Sequence, residues 1–201
     1  MSMTIVYEVG KNLYVNITNK CPCSCTFCIR QNGDGAYGSD SLWLEHEPSA
    51  QEVIDALEKG NYKNYNEIVF CGYGEPTQSL DVLKAAAEYI KKNSSVPIRL
   101  NTNGLSDLIN KKPTASELGG IIDTVSISLN AGTKDEYMRV TRPSFGDESY
   151  EAMQKFALDC KKYIKNVVFT VVDVIGETEI STAQNIADKL GIKLRVRKYE
   201  N

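Results

Sequence analysis

The chain alternates six short apolar runs with stretches of helical spacing, and this alternation constrains its fold more than any other feature. The runs lie at 13–19, 67–74, 98–103, 124–130, 167–174 and 193–199, and each but the last is followed by a helical pattern. A further run at 4–9, joined to the next through Gly10-Lys11-Asn12, reads as a hairpin. Runs rich in Val, Ile and Leu, each followed by a helix, argue for a parallel sheet covered by helices. Six such steps in 201 residues fall short of a full eight-fold barrel, which needs about 250 residues. The predicted fold is therefore α/β: a partial (β/α)6 TIM-like barrel of parallel strands with an N-terminal β-hairpin strand, a doubly wound sheet being the competing layout. No linker or repeat divides it, so one domain is expected over 1–201. Local punctuation agrees. Ser49-Ala-Gln-Glu52 is a capping box opening a helix to about Lys59, Thr114-Ala-Ser-Glu117 caps another, and Gly191 stops a third.

A net charge of −3 disfavours a chain built to grip a phosphate backbone, so no nucleic-acid partner is expected. The lack of 18 consecutive apolar residues predicts no membrane span, and the start, which lacks a basic and then apolar leader, points to the cytoplasm. In either layout function gathers beyond the carboxyl ends of the strands. Polar or small residues stand there in succession: Gly72 and Gly74-Glu75, Asn101-Thr102, Ser128 and Asn130, and Asp173. Burying them unpartnered would cost about 1–3 kcal/mol each, so a polar ligand or ordered water is expected among them.

Four of the six cysteines, Cys21, Cys23, Cys25 and Cys28, fall within eight residues directly after the first core strand. A reducing compartment leaves ligation or redox chemistry for such a group. Thiolates spaced x3 then x2 wrap one face of an iron–sulfur cubane, and three ligands leave one iron open. Zinc is the competing metal, although it would more naturally use two CxxC knuckles, and disulfides are the bland alternative. Cys71 and Cys160 read as buried small hydrophobes.

The x3–x2 spacing of Cys21, Cys25 and Cys28, with Phe27 before the last, resembles the radical S-adenosylmethionine enzymes. Phe-Cys-Gly-Tyr-Gly-Glu-Pro at 70–76 looks like that family's Gly-Gly-Glu motif, and Leu-Asn-Thr-Asn-Gly at 100–104 like its TNG strand end. Val-Ser-Ile-Ser-Leu-Asn at 125–130 completes the order, so the resemblance spans nearly the whole chain. YEVGKNLYVNITNKCPCSCTFCIR and the terminal RVRKYE are similar to the small TatD-associated members.

The resemblance implies a [4Fe–4S] cluster on Cys21, Cys25 and Cys28, with Cys23 outside the ligand set, and S-adenosylmethionine on the open iron. It implies a backbone approach to the cofactor at Gly72 and Gly74, Glu75 on its ammonium, and Asn101, Thr102 or Arg142 near its carboxylate. Ser128 and Asn130 would meet its ribose, and the Phe27 backbone its adenine. Reductive cleavage would give a 5′-deoxyadenosyl radical that abstracts hydrogen from an unidentified substrate, with a flavodoxin- or ferredoxin-type reductant as partner. Enzymes resembling 7-carboxy-7-deazaguanine synthase or glycyl-radical activases are alternatives of similar size, and an iron–sulfur electron carrier or metal-stabilised interaction domain is the non-enzymatic one. Arg195, Arg197 and Tyr199 share one strand face. Pointing inward, they would suit an anionic substrate or the cofactor's carboxylate; pointing outward, they would be surface residues. His46 reads as an exposed loop residue, and Trp43 as a lid or a loop anchor.

Overall fold

The computed structural model describes residues 3–199, so Glu200 of the terminal RVRKYE stretch lies outside the described residues. The elements run β1 (Val6–Val9), β2 (Asn12–Val15), α1 (Ala50–Lys59), β3 (Ile68–Phe70), α2 (Leu80–Asn93) and β4 (Ile98–Thr102). Then come α3 (Ser106–Asn110), α4 (Ala115–Leu118), β5 (Thr124–Ser128), α5 (Lys134–Thr141), α6 (Ser149–Cys160), β6 (Asn166–Val172), α7 (Glu177–Leu190) and β7 (Lys193–Arg197). The strands form one sheet in sequence order. β1 pairs antiparallel with β2, and every pairing from β2 to β7 is parallel. The expected partial barrel with a hairpin strand is thus observed, open between β1 and β7.

The strands are less uniform than the sequence reading made them. Ile98, Leu100, Val125, Ile127, Phe169 and Val171 join the large core with the helices. Between them Arg99, Asn101, Ser126, Ser128 and Thr170 point to the other face, as the two-residue strand period requires. The main core therefore sits outside the sheet, where each fully buried Leu or Phe contributes about 1.5–3 kcal/mol. The inner face is polar. A barrel interior lined this way is built to receive something polar rather than to close on itself.

Helix ends follow their chemistry. The Ser49 hydroxyl accepts from the Glu52 amide while the Glu52 carboxylate accepts from the Ser49 amide, the predicted capping box. Leu190 is followed by Gly191 at φ 61°, the left-handed stop a side chain would resist. Thr114 behaves differently from expectation. It precedes α4, but its hydroxyl donates to Ser106 and Asp107, and Glu117 pairs with Lys84 and Lys112. The helix is present and its capping box is not.

A second, smaller core consists of Tyr7, Ala36, Leu42 and Tyr73, with Val9, Tyr14 and Ile29 against it. It fixes the segment 29–42 across the hairpin. The Tyr73 hydroxyl donates to the Gly33 and Gly35 carbonyls at 2.6 and 3.2 Å, and the Trp43 ring meets Tyr73 edge-on at 5.0 Å. At its other side the Tyr199 hydroxyl reaches Asn32 Oδ1 at 3.2 Å. The segment is a strap spanning from β3 to the end of β7.

Candidate active site

The loop from Cys21 to Cys28 is shaped by the C-terminal end of α5. Ser24 and Thr26 donate their amides to the Thr141 and Val140 carbonyls at 3.0 and 2.8 Å, and Ser144 donates to Pro22 at 2.8 Å. Cys23 bridges Pro143. On the opposite side the Glu75 amide donates to the Lys20 carbonyl at 2.8 Å. A Cβ on Gly74 would lie 2.2 Å from the Thr18 carbonyl oxygen and 2.7 Å from that of Lys20. Only glycine lets β3's extension run this close to the loop. Gly72 is under the same constraint from Asn16, whose Oδ1 would be 2.1 Å away. Both glycines thus serve packing of the site's frame, and both also border the cavities beside it.

Two adjoining cavities of 220 and 170 Å³ lie between this loop and the sheet, sharing Cys21, Cys28, Cys71, Gly72, Ser128 and Arg197. The larger extends to Phe27, Asn130, Val172 and Tyr199, the smaller to Gly74, Glu75, Asn101 and Thr102. Of the strand-end residues expected to converge, all but Asp173 do so, with Glu75 and Ser128 on the same side of the sheet.

All six cysteines are free. Cys21, Cys23, Cys25 and Cys28 line the larger cavity, and Cys23 is the buried member of the four. Its thiol hydrogen-bonds Cys21 and Cys25, which pulls the Cys21 thiol down to about 7 and lowers that of Cys25. The same bonds push the Cys23 thiol far up. Among the described residues no three His, Cys, Asp or Glu side chains gather closely enough to hold a single ion; the thiols spread along one cavity wall.

Glu75 is buried and accepts four hydrogen bonds. Its Oε1 accepts from the Thr77 amide, the Thr77 hydroxyl and the Thr102 hydroxyl at 3.1, 2.8 and 2.7 Å, and Oε2 accepts from the Asn103 amide at 2.7 Å. Burial raises its carboxyl above the ordinary carboxylate range, and these donors pull the other way. Glu75 therefore ties the end of β3 to the end of β4. Thr102 spends its hydroxyl there, and Asn101 accepts from Arg99 at 3.3 Å.

Three expectations need correction. Arg142 is exposed, sits in the left-handed position ending α5, and lines neither cavity. Its φ of 46° turns the chain away after the helix, so it is not placed to meet a carboxylate in the site. Asp173 is also outside; it opens a 3-10 turn and accepts the Tyr199 amide at 2.9 Å. Cys71 is no core residue. It follows β3 by one position, where the two-residue period aims it inward, and it lines both cavities. Cys160 is fully buried, as expected.

Arg197 and Tyr199 line the cavity, settling that their face points inward. His46 is exposed and pairs with Glu52 at 2.8 Å. Tyr73 is the contributor the sequence reading passed over. Its position between two glycines of the Gly-Tyr-Gly-Glu stretch was the available signal, since the two-residue period points it away from Gly72 and Gly74.

Two buried polar atoms in the cavity lining have no hydrogen-bond partner: Asn130 Oδ1 and Arg197 Nε. Asn130, at φ 62°, holds a left-handed conformation that few side chains adopt. Unpartnered atoms of this kind, next to a wall of thiols, fit a polar ligand with hydroxyl groups seated beside an iron–sulfur cluster.

Comparison with known proteins agrees with this geometry. The profile of the radical SAM superfamily matches residues 15–189. A protein named GTPase Obg from Brachyspira hyodysenteriae is 31% identical over 141 residues, covering 68% of this chain and 20% of that protein. GTP 3′,8-cyclase from Clostridium botulinum is 25% identical over 185 residues, 91% of this chain and 54% of the cyclase. The chain thus spans about half the length of that cyclase and a fifth of the GTPase. Among solved structures, Streptococcus suis SuiB bound to its precursor peptide SuiA superposes with a TM-score of 0.71 at 18% identity, covering 97% of this chain and 40% of SuiB. SuiB bound to S-adenosylmethionine gives 0.67 at 16%, covering 94% and 38%.

Proposed function

The chain belongs to the radical SAM superfamily of enzymes, whose cofactors are a [4Fe–4S] cluster and S-adenosylmethionine, and on that premise we propose how its own residues serve them. Cys21, Cys25 and Cys28 hold the cluster. Cys23 stays outside the ligand set, its thiol directed to Cys21 and Cys25. When bound and reduced by a flavodoxin- or ferredoxin-type donor, these groups supply a 5′-deoxyadenosyl radical that takes a hydrogen atom from the substrate.

The remaining work falls to the protein. Asn130 Oδ1 accepts a ribose hydroxyl, which gives that buried atom the donor it lacks, and Ser128 flanks it across the cavity wall. The Phe27 backbone borders the adenine. Glu75 holds Thr77, Thr102 and Asn103 in place through four hydrogen bonds. Oε2, with one donor, keeps acceptor capacity for an ammonium. The strap over 29–42 shields the chamber from water, which a radical reaction requires.

The observation that carries this reading is the coincidence, in one cavity, of the three thiols with the unpartnered Asn130. The test is anaerobic reconstitution with iron and sulfide, dithionite reduction, addition of S-adenosylmethionine, and detection of 5′-deoxyadenosine. Alanine at Cys21, Cys25 or Cys28 should abolish the cluster's visible absorbance, and Cys23→Ala should keep it. Loss of the cluster in Cys23→Ala alone would refute the ligand assignment.

A further inference from the structure

Opposite the cysteine loop, the inner wall carries more positive charge than the chain neutralises. Arg99 of β4 and Arg195 and Arg197 of β7 follow the inward period of their strands, with Arg195 beside Thr170 and Arg197 beside Val172 in register. The sheet curls enough for its far strands to sense each other. Arg195 lies within electrostatic range of Arg99, Arg197, Tyr14 and Glu67.

The available carboxylates are taken. Glu67 pairs with Arg99 at 2.9 Å. Glu75, the one carboxylate lining either cavity among the described residues, accepts from four donors already. Asp173, in the turn after β6, is exposed and accepts the Tyr199 amide. Arg197 is left with no ion pair among the described residues, its Nε buried without an acceptor while its side chain lines both cavities. A buried guanidinium N–H needs an acceptor, and carboxylate and phosphate oxygens match the guanidinium fork bidentately. Lys198, in the lining of the larger cavity, adds a further cation.

We propose that Arg197 seats an oxyanion of the substrate, so that the hydrogen donor of this enzyme is a small carboxylate or phosphate compound. The role of that compound as hydrogen donor rests on the radical SAM reading; the anion seat itself does not.

The experiment titrates the reconstituted protein with inorganic phosphate and, separately, with malonate, following the melting temperature against chloride at matched ionic strength. A saturable rise with one or both anions is expected, and Arg197→Gln should weaken that apparent affinity by about tenfold or more. Lys193→Gln, at the opposite end of β7, should leave it unchanged. A response to phosphate alone identifies a phosphoryl compound and a response to malonate alone a carboxylate, each in support. If Arg197→Gln does not fold, Arg197→Lys carries the test. It keeps the charge but loses the fork, so about threefold weakening is expected and undiminished affinity overturns the proposal. The proposal is also overturned if neither anion gives a saturable response, or if Arg197→Gln responds like the wild type. Competition between either anion and S-adenosylmethionine overturns it too, because Arg197 would then belong to the cofactor's carboxylate. Failure of the radical SAM reading has its own signature, absence of 5′-deoxyadenosine from cluster-loaded wild type, and leaves the anion titration readable.

Discussion

At the ends of β3 and β4, Glu75 receives four hydrogen bonds from Thr77, Thr102 and Asn103. Across the cavity, beyond β5 and on β7, Asn130 Oδ1 and Arg197 Nε are also buried; the first accepts no hydrogen bond and the second donates none. Both sides are polar and both are buried, yet one is complete in itself and the other awaits a partner. A buried polar group that is satisfied internally acts as a structural tie; one left open costs folding energy and keeps its capacity for a ligand. Side-chain chemistry alone does not distinguish framework from receptor here. The list of partners does.

The comparison can be broken most directly at Glu75. Glu75→Ala would strand two buried amides and two hydroxyls, and should destabilise the fold by about 3 kcal/mol or more, read by chemical denaturation of the apoprotein. If stability is unchanged and only cofactor affinity falls, Glu75 is a ligand contact and no tie. Gly74→Ala comes next. Its Cβ would meet backbone oxygens of Thr18 and Lys20, so a loss of about 1–3 kcal/mol is expected, together with poorer cluster incorporation measured by iron content.

On the open side the signs reverse. Asn130→Gly removes the unpartnered oxygen and suits the left-handed backbone, so stability should stay within about 1 kcal/mol of wild type. S-adenosylmethionine affinity should fall about tenfold, or about 1.4 kcal/mol, by equilibrium dialysis. A strongly destabilised Asn130→Gly would erase the contrast. The smallest effect is a control remote from the cavity. The Ser49 amide, the His46 ring and the Ser49 hydroxyl hold Glu52 down to about 2. A lowered folded-state value stabilises the protein above the ordinary carboxylate range and loses that contribution as pH falls through it. The difference in melting temperature between wild type and Glu52→Gln should therefore be constant above pH 5 and shrink towards pH 2.

Much of the architecture was legible because apolar periodicity and caps are local signals. The six parallel strands, the hairpin, Ser49–Glu52 and the Gly191 stop all follow from residues close in sequence. The short α3 was missed because it runs only from Ser106 to Asn110 and its preceding residue, Leu105, offers no side-chain cap. The run at 67–74 was read as one strand, but only Ile68–Phe70 pairs. Beyond it the chain leaves the ladder to pack Gly72 and Gly74 against Asn16 and the cysteine loop. Cys21, Cys25, Cys28, Phe27, Gly72, Glu75, Asn101, Thr102, Ser128 and Asn130, grouped from the sequence, line two adjoining cavities, since strand ends in such a sheet share one rim. Partnership was not legible. That Glu75 is occupied, that Arg142 faces solvent and that Cys71 faces the chamber depend on contacts between segments far apart in the chain, such as Asn103 with Glu75 and Ser24 with Thr141.

The strap has a consequence for time rather than for affinity. Tyr73 holds it through bonds to Gly33 and Gly35, while two residues later Glu75 ties β3 to β4. A single tetrapeptide thus sets both the cover and the wall of the chamber. Parting the strap from Tyr73 disturbs no ligand contact directly, so its opening governs how long an occupant stays rather than how well it fits. Tyr73→Phe keeps the ring and drops the bonds. It would shorten the dwell of a reactive intermediate in the chamber, and escape would then compete with turnover.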